Sequence, residues 1–401
     1  RQEQMQRELT GALRHQRYRF EDIRTDAGLA DTNTASFGPI VNLMFFDQPI
    51  EIEGAEVDYR ILSSGILEDL RLNIYQASPG APVVIDLHGN PNVYGSAELQ
   101  QHVDRFSAFL FRALDDLDAL ILDVDFLMPG EREEILQWGI GPCLDVDRGG
   151  HLLDAYLAQL DARPDTTAVV FGDRRLTLHE FDAVRRRFAG LLHTRGVGVG
   201  DNVVVVLDRS VEQVAALYAI VTLGAAYVPV DPQQPDHRRR TIIESVEAAA
   251  VVDEAFLSDI ASTSVASWSG GVHGGGDHGA YVIFTSGSTG VPKGVKVSHR
   301  AIINRLDWMQ DEYGIDADDT ILYKTPYTFD VSVWELFWPL RQGATMVIAP
   351  PGAHRDPDQI SRLIADTGVT TLHFVPSMLD VYTEVVAAEK HRKLFASSVR
   401  R

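Results

Sequence analysis

The stretch Ala280 to Gly294, AYVIFTSGSTGVPKG, limits what this chain can fold into more than any other. Tyr281-Val282-Ile283-Phe284 is aromatic and β-branched and reads as a buried strand. Thr285 to Thr289 cannot be core, because adjacent small polar residues and glycine bury almost no apolar area. A strand that opens into a polar, glycine-rich loop is a candidate phosphate site. Gly287, Gly290 and Gly294 permit positive φ and inward-facing N–H groups, the hydroxyls of Thr285, Ser286, Ser288 and Thr289 add donors, and Lys293 adds a mobile positive charge. Such a loop suits a triphosphate.

The loop is not of the Walker A kind, since no glycine stands five residues before a Gly-Lys-Ser/Thr and Pro292 directly precedes the lysine. A flexible Gly/Ser linker is the bland alternative. Against it, the loop is gripped between an apolar strand and a second strand-like run, Val295-Lys296-Val297, with Ser298 placed to cap a helix.

With 401 residues, 45% of them hydrophobic, the chain has room for two or three domains with real cores. A formal charge of −21 argues against a nucleic-acid surface, and Arg238-Arg239-Arg240 reads as a solvated helix face. The single cysteine, Cys143, cannot form an intrachain disulfide, which together with the acidic composition suits a reducing cytoplasm. The least polar run, Ala215 to Val230, is too short and too interrupted by Gly224 and Pro229 to span a bilayer. Arg1 is not an initiator methionine and no closing element follows Leu394-Phe395, so the chain reads as an excerpt from something longer.

Residues 1–137 alternate helical and strand patterns of α+β character. Arg1 to Arg24 carries Met5, Leu9 and Leu13 at helical spacing, and Leu99 to Leu114 is an amphipathic helix. Strands are expected at Phe37 to Phe46, Val57 to Leu62, Leu70 to Tyr75 and Val83 to Leu87. His15, His88 and His102 lie apart and form no catalytic constellation. A Gly/Pro-containing junction at 138–149, WGIGPCLDVDRG, is the expected linker. From 150 onward the order is βαβα: helix His151 to Ala162, strand Ala168 to Phe171, helix Leu176 to Leu192, strand Val203 to Leu207, helix Val211 to Leu223, strand Ala226 to Val230. That succession predicts a doubly wound α/β domain. Gly270 to Gly276 reads as a low-complexity surface loop.

The loop at 285–294 closely resembles the TSGSTGxPKG signature of AMP-forming adenylating enzymes. LTLHEF (from Leu176) and LGAAYVPVDP (from Leu223) resemble the first two core motifs of their adenylation domains, in the expected order. HQRYRFEDI (His15 to Ile23) and FGPIVNLMFFD (Phe37 to Asp47) resemble, less closely, the C-terminal half of condensation domains in nonribosomal peptide synthetases. Residues 1–137 contain no HHxxxDG motif, so the resemblance implies a catalytically silent half. Together these imply a truncated condensation-type half followed by the N-terminal part of an adenylate-forming α/β domain. With NRLDWMQ (from Asn304) and AHRDP (from Ala353), the whole is most similar to synthetases of the enterobactin synthase component F type. That kinship implies siderophore assembly, a small MbtH-like helper protein, and a carrier domain bearing phosphopantetheine outside this chain.

Farther along, helix Ser298 to Asp311 and strand Thr320 to Lys324 lead to TPYTFDVSVWELFWPL. Asp330 is the odd residue there: a carboxylate among Phe329, Val331, Val333 and Trp334 is costly to bury unless a cation meets it, or it caps the following helix. The match of FDVSVWE to adenylation domains implies that Asp330 pairs with a substrate α-ammonium, with Phe329 packed beside the carboxylate, and that Val331 and Trp334 line the pocket. His373, in GVTTLHFVPSML, falls at the next pocket position; a core histidine on a strand Thr370 to Val375 is its alternative. Asp, Val, Trp, His in that order implies serine, since Trp334 would restrict volume while His373 could hydrogen-bond a hydroxyl.

The reaction so implied is attack of the serine carboxylate on the α-phosphorus of ATP, with Mg²⁺ and Lys293 offsetting charge on the leaving pyrophosphate. The adenine and ribose motifs and the late lysine of the family are not in residues 1–401, so this excerpt alone is expected to be nearly inactive. A CoA or aryl-acid ligase, or a noncatalytic scaffold, remains the rival reading.

Overall fold

The computed structural model describes residues 2–15, 17–28, 38–45, 52–54, 67, 69–76, 79–141, 143, 150–262, 266–285, 292–387 and 398–401. The chain forms two compact units, Arg1–Pro142 and Cys143–Arg401, and the division falls inside the junction 138–149.

In the first unit, helices α1 (Gln2–Arg14) and α2 (Phe20–Asp26) precede strand β1 (Ile40–Phe45), strands β2 (Leu70–Gln76) and β3 (Val83–Gly89), and helices α3 (Ser96–Asp115) and α4 (Glu131–Trp138). The sheet order is β1-β2-β3, with β1 parallel to β2 and β2 antiparallel to β3. The single helix expected over Arg1 to Arg24 is two: the chain turns at His15 and Tyr18, whose amides donate to Ala12 and His15 carbonyls. Its apolar stripe of Met5, Leu9 and Leu13 is exposed, and Asn73 is the one buried side chain among the unit's described residues. The strand expected at Val57 to Leu62 lies outside the described residues.

The second unit begins with α5 (Asp154–Ala162), the hairpin β4 (Thr167–Phe171) and β5 (Arg174–Thr177), then α6 (Leu178–Thr194), β6 (Asn202–Val205), α7 (Val211–Thr222) and β7 (Ala226–Pro229). There follow α8 (Asp236–Ser245), β8 (Ala250–Val252), α9 (Glu254–Ser262), β9 (Gly279–Thr285), β10 (Lys293–Ser298) and α10 (His299–Tyr313). The described chain continues through β11 (Thr320–Tyr323), α11 (Ser332–Arg341), β12 (Thr345–Ile348), α12 (Pro357–Thr367) and α13 (Pro376–Ala387). Instead of one doubly wound sheet there are two, ordered β10-β9-β7-β6-β8 and β11-β12-β4-β5. Each is parallel at its centre and closed by an antiparallel partner, β10 and β5.

Helices α7 and α11 lie in the interior, and nearly every residue of both is buried. Helix α7 packs on β6 and β7 and α11 on β11 and β12. They meet where Tyr218 stacks on Phe337 with ring centroids 4.9 Å apart and donates its hydroxyl to the Leu336 carbonyl at 2.8 Å. Three helices start where the sequence supplies a cap: Thr177 and Glu180 form a capping box for α6, Ser210 caps α7, and Ser298 caps α10 as expected. Thr177 is also the end of β5, so the helix expected from Leu176 starts at Leu178.

Gly224 ends α7 with φ +74°, and a Cβ there would meet the His273 carbonyl at 2.8 Å. The loop Gly270 to Gly276 is accordingly pinned and not a free surface loop: His273 N donates to Thr222 O and Gly276 N to Gly150 O, at 2.8 and 3.0 Å.

Candidate active site

A cavity of about 530 Å³ opens beside the β9–β10 hairpin, within the size range of small-molecule sites. Tyr281 of β9 contributes one wall. Ile302, Leu306 and Met309 contribute a second from one face of α10, following the i, i+4, i+7 spacing. Asp330, Val331 and Trp334 come from the start of α11, and Thr371 and His373 from the segment before α13. Four expected substrate-side residues, Asp330, Val331, Trp334 and His373, therefore line one cavity although they span 44 positions of sequence.

Their surroundings differ from the expectation in three respects. Asp330 is not sunk among apolar side chains: it is solvent-exposed at the cavity wall and has no ion pair among the described residues. Nor does its carboxylate cap α11, whose N-cap position is Val331 with no side-chain cap bond. Phe329 is 60% exposed and is not among the residues lining the cavity. His373 is not on a strand, because Thr370 to Val375 makes only an isolated parallel bridge, Thr371 to Ile321, before Pro376 starts α13.

Two rings define the inner wall. Trp334 and His373 meet edge to face, with centroids 5.9 Å apart and planes at 88°, and Trp338 packs against Trp334 from behind at 5.9 Å. Burial, then the charge of Lys324, holds the half-buried His373 imidazole below its ordinary pKa, so it is neutral and can accept or donate one hydrogen bond at neutral pH. Burial, then the Asp330 carboxylate, pushes the Tyr281 phenol up to about 12. Tyr281 stays a neutral hydrogen-bonding group beside an open carboxylate.

Glu335, the last residue of FDVSVWE, fixes this segment and was not singled out in the sequence. It is fully buried, and burial raises its pKa. Its Oε2 accepts from the backbone N–H groups of Lys324 and Thr325 at 3.0 and 2.8 Å, and its Oε1 from the Thr325 hydroxyl at 2.7 Å. Those bonds join the end of β11 to the first turn of α11, which carries Trp334 and directly follows Asp330 and Val331. Thr371 was also missed. Its Oγ1 is buried without a partner although the residue lines the cavity.

On the phosphate side, Ser286, Gly287, Ser288, Thr289 and Gly290 lie outside the described residues. Thr285 and Lys293 face each other as the last pair of the β9–β10 ladder and are both exposed. Gly294 is not the positive-φ residue expected. It is a strand residue, and a Cβ there would meet Val282 and Phe284 side chains at 3.0 Å.

Directly opposed residues of an antiparallel pair share a face, and the pairs Lys293↔Thr285, Val295↔Ile283 and Val297↔Tyr281 run along one face. Lys293 therefore projects from the same side of the sheet as Tyr281, four residues or about 14 Å along the strand from Val297, the partner of Tyr281. A nucleotide lying along this face would reach from one to the other. Among the described residues no group of three His, Cys, Asp or Glu side chains is placed to hold a metal ion.

Residues 157–401 match the family described as AMP-binding enzyme. Enterobactin synthase component F of Escherichia coli (strain K12) is 36% identical over 404 residues, covering 97% of this chain and 31% of that protein. The dimodular nonribosomal peptide synthase of Bacillus subtilis (strain 168) is 31% identical over 397 residues, covering 94% of this chain and 17% of that protein. The chain thus spans about a third or less of the length of these curated relatives. Among solved structures, the nonribosomal peptide synthetase FmoA3 in an AMPPNP-bound form superposes with a TM-score of 0.67 at 25% identity, over 95% of this chain and 42% of that one. The NpsA N-terminal subdomain of Klebsiella oxytoca does so with 0.53 at 26% identity, over 60% and 65%. The family match over residues 157–401, more than half of the chain, makes this chain a member of the AMP-binding enzyme family, similar within it to nonribosomal peptide synthetases.

Proposed function

We propose that the second unit is the amino-acid- and ATP-binding part of an adenylating synthetase, and that the amino acid is L-serine. The observation that carries this reading is the convergence of Asp330, Trp334 and His373 on one cavity whose sheet face also bears Lys293. The open Asp330 carboxylate receives the substrate ammonium. A substrate carboxylate oxygen then attacks the α-phosphorus of ATP, forming the acyl–phosphate bond as the bond to the pyrophosphate oxygen breaks. Lys293 and the hydroxyls of the 285–290 loop offset charge on the departing pyrophosphate.

The cavity is larger than a serine side chain, so volume alone does not select it. Polarity carries the choice: neutral His373 offers one hydrogen bond to a hydroxyl, and an alanine would leave that group unpaired.

We further assign residues 1–137 to a condensation-type half without catalytic residues and the aminoacyl product to a phosphopantetheine-bearing carrier domain. Siderophore assembly and an MbtH-like helper protein belong to the same reading, which rests on similarity to enterobactin synthase component F. The test is ATP–pyrophosphate exchange by the complete natural protein across an amino-acid panel. Serine-dependent exchange is expected, and preference for another amino acid overturns the serine assignment. An aryl-acid or CoA ligase would have no use for Asp330, and Asp330→Ala would then leave substrate affinity unchanged.

A further inference from the structure

Four loops follow the carboxyl ends of β6, β7, β11 and β12 and enclose a second, smaller cavity of about 110 Å³. Its lining includes Arg209 after β6, Asp231 after β7, Tyr327 after β11, and His354 and Arg355 after β12. The region outside the carboxyl ends of parallel strands is where α/β folds bind ligands. This cavity is separate from the one that holds Asp330, and its role does not depend on the reaction proposed above.

Arg209 is the unusual group in it. The residue is only 7% exposed and has no ion pair among the described residues. One guanidinium nitrogen, Nη2, donates to the Pro350 carbonyl at 3.2 Å and to His354 Nδ1 at 3.1 Å. The other, Nη1, is buried with no partner. A guanidinium stays charged in a protein, and a buried charge without a counter-charge is strongly unfavourable.

The acids nearest Arg209, Asp208 and Glu335, offset its charge without forming an ion pair with it, and the Tyr323 ring lies 5.9 Å from the guanidinium carbon as a cation–π partner. Asp208 is exposed at the rim, and Asp231 spends Oδ1 on the Gln233 amide at 2.8 Å. Glu335 accepts the backbone N–H groups of Lys324 and Thr325 and makes no hydrogen bond to Arg209. His354 accepts from Arg209 at Nδ1 and so is neutral; burial, then Arg209 itself, pushes it down to about 4. Arg209 is left with no ion pair among the described residues and with Nη1 unpartnered.

We propose that this cavity binds a phosphate-class oxyanion through Arg209 Nη1, with Arg355 at its edge. The space fits a single tetrahedral group and is well below what a nucleoside needs. That group is either free phosphate or the phosphodiester of a larger molecule reaching in past the rim.

The experiment uses the complete natural protein at constant ionic strength, exchanging sodium chloride for inorganic phosphate or for diethyl phosphate while the melting temperature is followed. A ligand that binds only the folded state raises it in proportion to the logarithm of its concentration. The measurement is made in a Lys293→Ala background, which weakens anion binding at the glycine-rich loop, and the Arg209 variants are compared within it. Phosphate is expected to raise the melting temperature by several degrees with Arg209 present, to bind at least tenfold more weakly to Arg209→Lys, and to have no effect on Arg209→Met. A response to phosphate alone identifies a free anion, and a response to diethyl phosphate identifies a tethered one. No rise beyond that of sodium chloride, or an equal rise in both Arg209 variants, overturns the site.

Discussion

Trp334 and His373 stand 39 positions apart in the chain, yet their rings meet edge to face at 5.9 Å on the wall of the cavity that Asp330 also lines. Neither strand pairing nor a direct hydrogen bond joins them. What brings them together is α11, held to β11 by Glu335, and the extended run after α12, held to β11 by the Thr371–Ile321 bridge.

Asp330 carries the first prediction. Because it is exposed and unpaired among the described residues, Asp330→Ala should change folding stability by no more than about 0.5 kcal/mol. The amino-acid KM in pyrophosphate exchange should rise on the order of a hundredfold, as expected for a charge-assisted bond of about 3 kcal/mol, while the ATP KM is unchanged. Parallel rises in both constants would point to a distorted fold.

Lys293 lies on an exposed strand position, so Lys293→Ala should also fold normally. Its loss should appear in turnover, by roughly a hundredfold or more, since a charge aimed at the leaving pyrophosphate acts mainly in the transition state. An effect confined to the ATP KM would limit Lys293 to ground-state binding.

Thr371→Val separates stability from selectivity. The Thr371 hydroxyl is buried without a partner, so removing it should leave stability unchanged or raise it by about 1 kcal/mol. If the hydroxyl meets the substrate, preference for serine over alanine should fall about tenfold. Lower stability with unchanged kinetics would make the hydroxyl structural.

His299 makes stability depend on pH. Its ring lies 4.4 Å from that of His151, its Nδ1 accepts from Leu152 N at 3.1 Å, and its Nε2 is buried without a partner. Burial, then the neighbouring His151 and His278, push it down to about 3. The unfolded chain takes up this proton near pH 6.5 and the folded chain only near 3, so the stabilisation is complete above about pH 6.5 and is lost as pH falls through that window. At pH 5 the loss from this one group is about 2 kcal/mol. His299→Asn keeps an acceptor for the Leu152 amide and should flatten the fall in urea midpoint between pH 7 and pH 5; an unaltered slope would assign it to other groups.

Legibility in the sequence followed the range of the interactions. Strand β9 was readable because Tyr281 to Phe284 is continuously apolar, and α10 because Ser298 announces its cap. Hairpin strand β5 was missed: Arg174 and Arg175 look like helix surface, and only pairing with β4 makes them a strand. Thr370 to Val375 looked like a strand from its β-branched residues, yet beyond the bridge at Thr371 it finds no neighbour to pair with. Cavity residues Tyr281 and Thr371 escaped notice for a related reason, since an ordinary tyrosine and threonine become site residues only through what lies opposite them.

Local chemistry, then, was written in the order of residues: a hydroxyl- and glycine-rich turn after an apolar strand, a lysine behind it, an acid in an aromatic run, and the caps that start the helices. Those properties depend on neighbours a few residues away and survive in the linear text. The tertiary structure alone decided that Asp330 is open to solvent instead of buried, that Lys293 and Tyr281 share a sheet face, and that Arg209 is enclosed with one guanidinium nitrogen unpartnered. Burial, facing and charge balance are sums over atoms brought together from distant segments, and no stretch of sequence contains them.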